Sequence, residues 1–206
     1  ILCLFLHTNY RKDKIKMTHR LMDGDLLHNI KKSIKEDKID FVVMGTAGAT
    51  GWEAFFVGTN TNDVISGVDV PMLCVPLEAE FRKIETIGFT TRFRPKDKKA
   101  LKKVLSIAQK INAIVKCLYV KTSDSDVENK TIEAWENEFK DDPIEFFVIN
   151  SDAVKETIYD FILYKSIDVL TMLTYKRGFF EGLFKPSFTK KMVPNFDIPI
   201  LAMHID

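Results

Sequence analysis

Several things are scarce in this sequence, and each shortage excludes something. Net charge is almost absent. Thirty Lys and Arg stand against 29 Asp and Glu, leaving +1 at pH 7. That balance gives no electrostatic reason to expect nucleic acid or an anionic membrane surface as partner. No apolar run approaches the roughly 18 residues that cross a bilayer, so no membrane partner is expected. Cysteine is sparse: Cys3, Cys74 and Cys117 are odd in number, form no CxxC and sit in apolar runs. Buried, reduced thiols in a reducing cytoplasm are the expectation from that pattern. There is no GxSxG, no HExxH, no zinc-ligand spacing, and no GKS or GKT after a glycine run. These absences leave no motif for a nucleophile elbow, a zincin, a metal site or a P-loop. No two groups stand at a spacing suited to acid–base work, so no catalytic residue is assigned.

The remainder is ordinary for a globular chain. The 206 residues are 46% apolar and 29% charged, enough for one large domain or two small ones. The opening ILCLFLH lacks a basic flank and a small-residue cleavage site, and is expected to be a buried strand rather than a signal peptide.

The chain repeats itself. IDFVVMG (39–45) aligns with IDVLTML (167–173) at an offset of 128, and VPMLCVP (70–76) aligns with IPILAMH (198–204) at the same offset. Short β-branched apolar runs of this kind suit parallel strands buried on both faces. Two copies of one α/β unit are therefore expected, as domains over residues 1–80 and 81–206. The second copy reads as complete. Strands are expected at 83–91, 113–122, 143–150, 167–173 and 198–205, and helices at 95–112, 125–140 and 151–166. Ser151 or Asp152 is the expected N-cap of the last helix. The pattern β-α-β-α-β-α-β-α-β implies a parallel sheet with helices on both faces.

The first copy is shorter. It holds ILCLFLHT, a strand-like KIKMTHRL, a helix-like DLLHNIKKSIKED, and the two repeated strands. Its first strand and first helix have no counterpart. LHT (6–8) aligns with VKT (120–122) at an offset of 114 rather than 128, so about 14 residues, the size of the second helix, are lost between. Only NYRKDK separates the two leading strands, whereas a parallel crossover takes about a dozen residues. Residues omitted before Ile1 and near Tyr10 are the expected explanation; a genuinely shortened unit is the alternative.

Chemistry concentrates in one loop. After IDFVVMG the glycines run Gly45-x2-Gly48-x9-Gly58-Thr59, followed by the helix-like NTNDVIS. A loop leaving the carboxyl end of a parallel strand is where α/β sheets bind ligands. Glycines let backbone approach a phosphate, and a following helix N-terminus offers free amides. Turn formation alone would also account for glycines in such a loop. Elsewhere, His7, His19, His28 and His204 are expected to be structural. Asp23 and Asp25 are expected to form a turn and helix cap.

The glycine spacing, set in VMGTAGATGWEAFFVGTNTNDVISGVDVPMLCVP (43–76), resembles the signature of the universal stress protein family. The resemblance implies two tandem adenine-nucleotide-hydrolase-like, Rossmann-like domains with strand order 3-2-1-4-5. It implies that they pair through their last strands as an intrachain pseudo-dimer, with a further homodimer left open. It also implies an adenine nucleotide, ATP or AMP, with Mg2+ accompanying ATP. Gly45 would then lie near the ribose, and Gly48, Gly58, Thr59 and Asn60 against the phosphates. The second copy departs from the signature: Leu173, Lys176, Pro186 and Ser187 replace Gly45, Gly48, Gly58 and Thr59, and Arg92 stands where the family commonly has Asp. Its nucleotide loop therefore reads as degenerate. Lys176, Arg177, Lys185, Lys190 and Lys191 read as a solvated basic face, and the nearby phenylalanines as packing. The function this implies is a cytoplasmic stress-response regulator that binds nucleotide in its first half and contacts an unidentified protein. Slow ATP hydrolysis at the same loop and a nucleotide-free scaffold are the alternatives.

Overall fold

Periodicity decides most of the elements. In PKDKKALKKVLSIAQKI, apolar residues recur three and four apart while lysines fill the other side, and the segment forms helix α3 (Pro95–Ile111). Pro95 suits the first helical position, where its missing N–H costs nothing. Asn112 ends the helix in the left-handed conformation, at φ 57°. Ala100, Leu101, Val104, Leu105 and Ala108 are buried against the sheet. Each of the larger ones contributes roughly 1.5–3 kcal/mol by leaving water.

The computed structural model describes residues 18–46, 59–76, 79–80, 82–175 and 198–205. The strands are β1 (Val42–Thr46), β2 (Met72–Pro76), β3 (Thr86–Thr90), β4 (Ile114–Lys121), β5 (Ile144–Asn150), β6 (Val169–Tyr175) and β7 (Ile200–Ile205). Beside α3, the helices are α1 (Leu26–Asp37), α2 (Thr59–Gly67), α4 (Asn129–Glu138) and α5 (Val154–Tyr164).

All seven strands join in one sheet of order β1-β2-β7-β6-β3-β4-β5. Counted in chain order, the strands from β3 to β7 run 3-2-1-4-5 across β5-β4-β3-β6-β7. Beyond them the sheet continues into β2 and β1. Every pairing is parallel except β2 with β7. In that junction Leu73 faces Leu201, Met72 faces Ala202, and Cys74 faces Ile200. At the offset of 128, Leu201 is the counterpart of Leu73, Ile200 of Met72 and Ala202 of Cys74. The junction is thus self-complementary about one residue pair, the signature of an isologous contact.

Two apolar layers cover the sheet. Ile87, Phe89, Val115, Cys117 and Tyr119 pack with α3 and α4 on one face. Leu118, Leu170, Met172 and Ile200 pack with α2 and α5 on the other. Gly88 lies on the second face, where an added Cβ would come within 2.9 Å of an Ile167 methyl. The Asp168 carboxylate accepts the amides of Glu85 and Thr86, both at 2.9 Å, and so aligns the start of β3 with β6.

Three local expectations were tested by these contacts. Asp25 caps α1, its carboxylate accepting the His28 amide at 2.7 Å, and Gly24 supplies the left-handed turn at φ 100°. Neither Ser151 nor Asp152 caps α5; the N-cap is Ala153, without a side-chain bond. Both side chains are engaged elsewhere, Ser151 with the Ala153 amide and Asp152 with Ser123. KIKMTHRL does not form a strand over its described part: residues 18–21 have no strand conformation, and Leu21 is exposed. The first predicted strand, ILCLFLHT, lies outside the described residues.

Cys74 and Cys117 are free and buried. Burial pushes the Cys74 thiol up to about 12, and pushes Cys117 well above the ordinary thiol range, with Asp97 adding to the effect. Both are inert thiols at neutral pH.

Candidate functional site

β1, α2 and β2 make one parallel crossover. β1 and β2 run side by side, with Gly45 opposite Val75 and Thr46 opposite Pro76. A helix that returns the chain between parallel strands starts at their carboxyl edge and ends at their amino edge. The first turn of α2 therefore belongs to the same edge as Gly45. Val64, Ile65 and Val68 fix α2 to the sheet.

Gly45 is the penultimate residue of β1. No atom of the described residues lies within 4 Å of the place a Cβ would occupy, and its φ is not in the left-handed region. Among the described residues, neither packing nor backbone strain thus demands glycine here. The counterpart in β6, Leu173, carries a full side chain and is buried. Thr59 and Asn60 are the first two residues of α2, whose opening amides have no acceptor within the helix. Its first turn carries neither an acidic nor a basic side chain, so no ion of that turn neutralises the dipole. Gly48 and Gly58 lie outside the described residues, as do Lys176, Pro186 and Ser187 of the second loop.

The switch point of the β3–β7 half, between β3 and β6, has a different character. Thr91 and Asp97 are buried there, while Arg92 and Arg94 are exposed. Phe93 holds a left-handed φ of 55° and is buried, its ring edge-on to Tyr119 at 5.3 Å and Trp135 at 5.0 Å. Such a conformation is uncommon for an aromatic residue, and the packing of the ring fixes it. The Arg92 amide donates to the Asp97 carboxylate at 2.8 Å. Sequence reasoning marked Arg92 but missed Asp97. The available signal was an acid in the first turn of a helix opened by Arg94-Pro95.

A cleft of about 580 Å³ lies elsewhere, lined by Lys31, Lys35, Ser66, Asp69 and His204. It sits at the carboxyl-terminal end of α2, remote from Gly45. His28 donates its backbone amide to Asp25 and His19 is exposed. Among the described residues, no group of three His, Cys, Asp or Glu could hold a metal ion. No described helix is long and apolar enough to cross a membrane.

Comparison with known proteins agrees with this architecture. Solved structures similar to the chain include a universal stress protein from Archaeoglobus fulgidus DSM 4304, at 15% identity and a TM-score of 0.64 over 88% of this chain and 66% of that one. A candidate universal stress protein from Pseudomonas aeruginosa UCBPP-PA14 is 11% identical, with a TM-score of 0.64 over 89% of this chain and 70% of its own. A functionally unknown protein from Pseudomonas aeruginosa PAO1 is 10% identical, with a TM-score of 0.63 over 89% and 69%. At these identities the likeness establishes the fold. The chain spans about two thirds of the length of these relatives. No protein of curated function matches the sequence. The model of the universal stress protein family matches residues 9–76, a stretch that runs from before α1 through the glycine loop to the end of β2. Through that segment, about a third of the chain, the sequence is similar to the universal stress protein family.

Proposed function

We propose that this protein is a stress-response regulator that binds an adenine nucleotide, ATP or AMP, in the loop from Gly45 to Asn60. Gly45 admits the ribose to the end of β1. Gly48, Gly58, Thr59 and Asn60 hold the phosphates through loop amides and the first turn of α2, and Mg2+ enters with ATP as its counter-ion. Residues 81–206 act as scaffold and pseudo-dimer partner of residues 1–80. The observation that carries the reading is Gly45, a glycine without backbone strain near the carboxyl end of β1 and uncrowded by the described residues. It leads by the spacing G-x2-G-x9-G-T to the first turn of α2, which has no charged side chain of its own. The self-complementary β2–β7 junction supports the pseudo-dimer. Nucleotide would order the loop and bias a contact with a partner protein, a shift limited by the difference in affinity between the two states.

Calorimetric titration with ATP and AMP tests the site. Gly48→Leu and Gly58→Pro are expected to weaken binding by tenfold or more, about 1.4 kcal/mol, because one crowds the phosphate and the other removes a donor. Lys103→Ala, on the solvent side of α3, should bind as the parent does. Unchanged affinity in both loop variants would remove the site assignment.

A further inference from the structure

The β3–β7 half presents the same architecture to a ligand: strands whose carboxyl ends feed loops, and a helix that opens beside them. Amides in such loops attract anions. Here they are taken from within. Asp97, fully buried in the first turn of α3, accepts the Thr91 hydroxyl at 3.0 Å and the Arg92 amide at 2.8 Å, with the Arg94 amide at 3.3 Å. The Thr91 hydroxyl oxygen in turn accepts the Phe93 amide at 2.8 Å. Three successive amides, 92 to 94, therefore end on side chains of their own turn. One loop away, after β4, Asp152 accepts both the amide and the hydroxyl of Ser123, at 2.7 and 2.9 Å. Those two bonds, the backbone one foremost, hold its carboxyl below the usual aspartate range. The two carboxylates come from different turns, and each serves the loop that follows a strand.

We infer that the turns after β3 and β4 are closed to anionic ligands by the chain's own carboxylates, with Asp97 and Asp152 as the specificity-determining residues that exclude them. An anion entering the turn after β3 would have to displace a buried carboxylate bonded to the same amides. It would also meet that charge at contact distance, where like charges repel. After β4 the competition is weaker, because Asp152 is exposed. The inference rests on the proposed nucleotide reading only in taking the carboxyl ends of the strands, in each half, as the place where ligands bind.

The test is a sodium formate titration of the intact chain, Asp97→Gly and Asp152→Ala at constant ionic strength, followed by amide 15N–1H spectra. Formate is a carboxylate without a side chain and fits the place vacated. The Arg92 and Arg94 amides are expected to shift saturably in Asp97→Gly, and the Ser123 amide in Asp152→Ala. Each should respond with an affinity about tenfold above that of the same amide in the intact chain. Equal response in all three proteins, or none in a folded variant, overturns the inference. If Asp97→Gly does not fold, Asp152→Ala decides alone, since replacing an exposed side chain leaves the core intact. The readout is residue by residue. Formate or nucleotide at the Gly45–Asn60 loop reports on other amides, so failure of that site is distinguishable from failure here.

Discussion

β1 and β6 carry segments that align at an offset of 128 and stand in different surroundings. β6 lies between β7 and β3, whereas β1 pairs with β2 and ends the sheet among the described residues. Leu170 and Thr171 of β6 are both 0% exposed. Their counterparts in β1 are Val42, half-buried, and Val43, 63% exposed. The two strands share an apolar, β-branched character, yet only one is core. Strand formation follows from the local sequence, while burial follows from what lies on either side. The contrast is sharpest where Val43 stands in water and its copy, a threonine, is sealed in the interior. The Thr171 hydroxyl has no hydrogen-bond partner among the described residues.

The largest effect expected from this contrast is in packing. Leu170→Ala should cost about 3 kcal/mol, the usual range for a fully enclosed leucine. Val42→Ala at the matching position should cost about 1 kcal/mol or less. Urea denaturation of the two variants measures both, and equal losses would mean that β1 is covered as well as β6. Exchanging the residues at the next position should give opposite signs. Thr171→Val removes a buried hydroxyl without a partner and is expected to raise stability by about 1 kcal/mol. Val43→Thr, exposed, should change it by less than about 0.5 kcal/mol. Thermal midpoints suffice to show which way each moves.

The smallest effect is electrostatic and separates the halves by pH. In the β3–β7 half, Glu138 of α4 bonds Lys98 at 2.6 Å and Lys102 at 2.9 Å, both on α3. The bonds to Lys98 and Lys102 hold its carboxyl below the ordinary glutamate value. A lowered carboxyl value means the contribution is present above the unfolded value, near 4.3, and is lost as pH falls through the folded one. Glu138→Gln should therefore lower stability slightly at neutral pH and leave it unchanged at low pH, flattening the acid limb by the small amount an exposed pair contributes. Asp152 is lowered in the same direction by Ser123, so a shallow acid limb should survive in Glu138→Gln and become shallower still in the double variant with Asp152→Asn.

Much of the fold was legible because it depends on periodicity. The three-and-four spacing of α3 and the apolar run of β4 required no knowledge of neighbours. Asp25 as a helix cap was equally local, since its bond reaches only three residues along the chain. Asp152 was misread for the opposite reason. Its position before α5 favours a cap, but Ser123, 29 residues away, offers both an amide and a hydroxyl. At the candidate site the glycine spacing was visible. That Gly45 is uncrowded, and that Asp97 consumes the amides of the other turn, required coordinates.

By itself, then, the sequence determined the alternation of strands and helices, the repeat at an offset of 128 and the placement of glycines after β1. These rest on side-chain period and backbone freedom, which are properties of short segments. Tertiary structure alone decided that the seven described strands share one sheet, that Leu73 meets Leu201, the residue 128 positions on, and that an exposed valine and a buried threonine stand at positions aligned by the same offset. Those outcomes depend on which segment lies beside which, and the energy of burial belongs to the pair of surfaces rather than to either one.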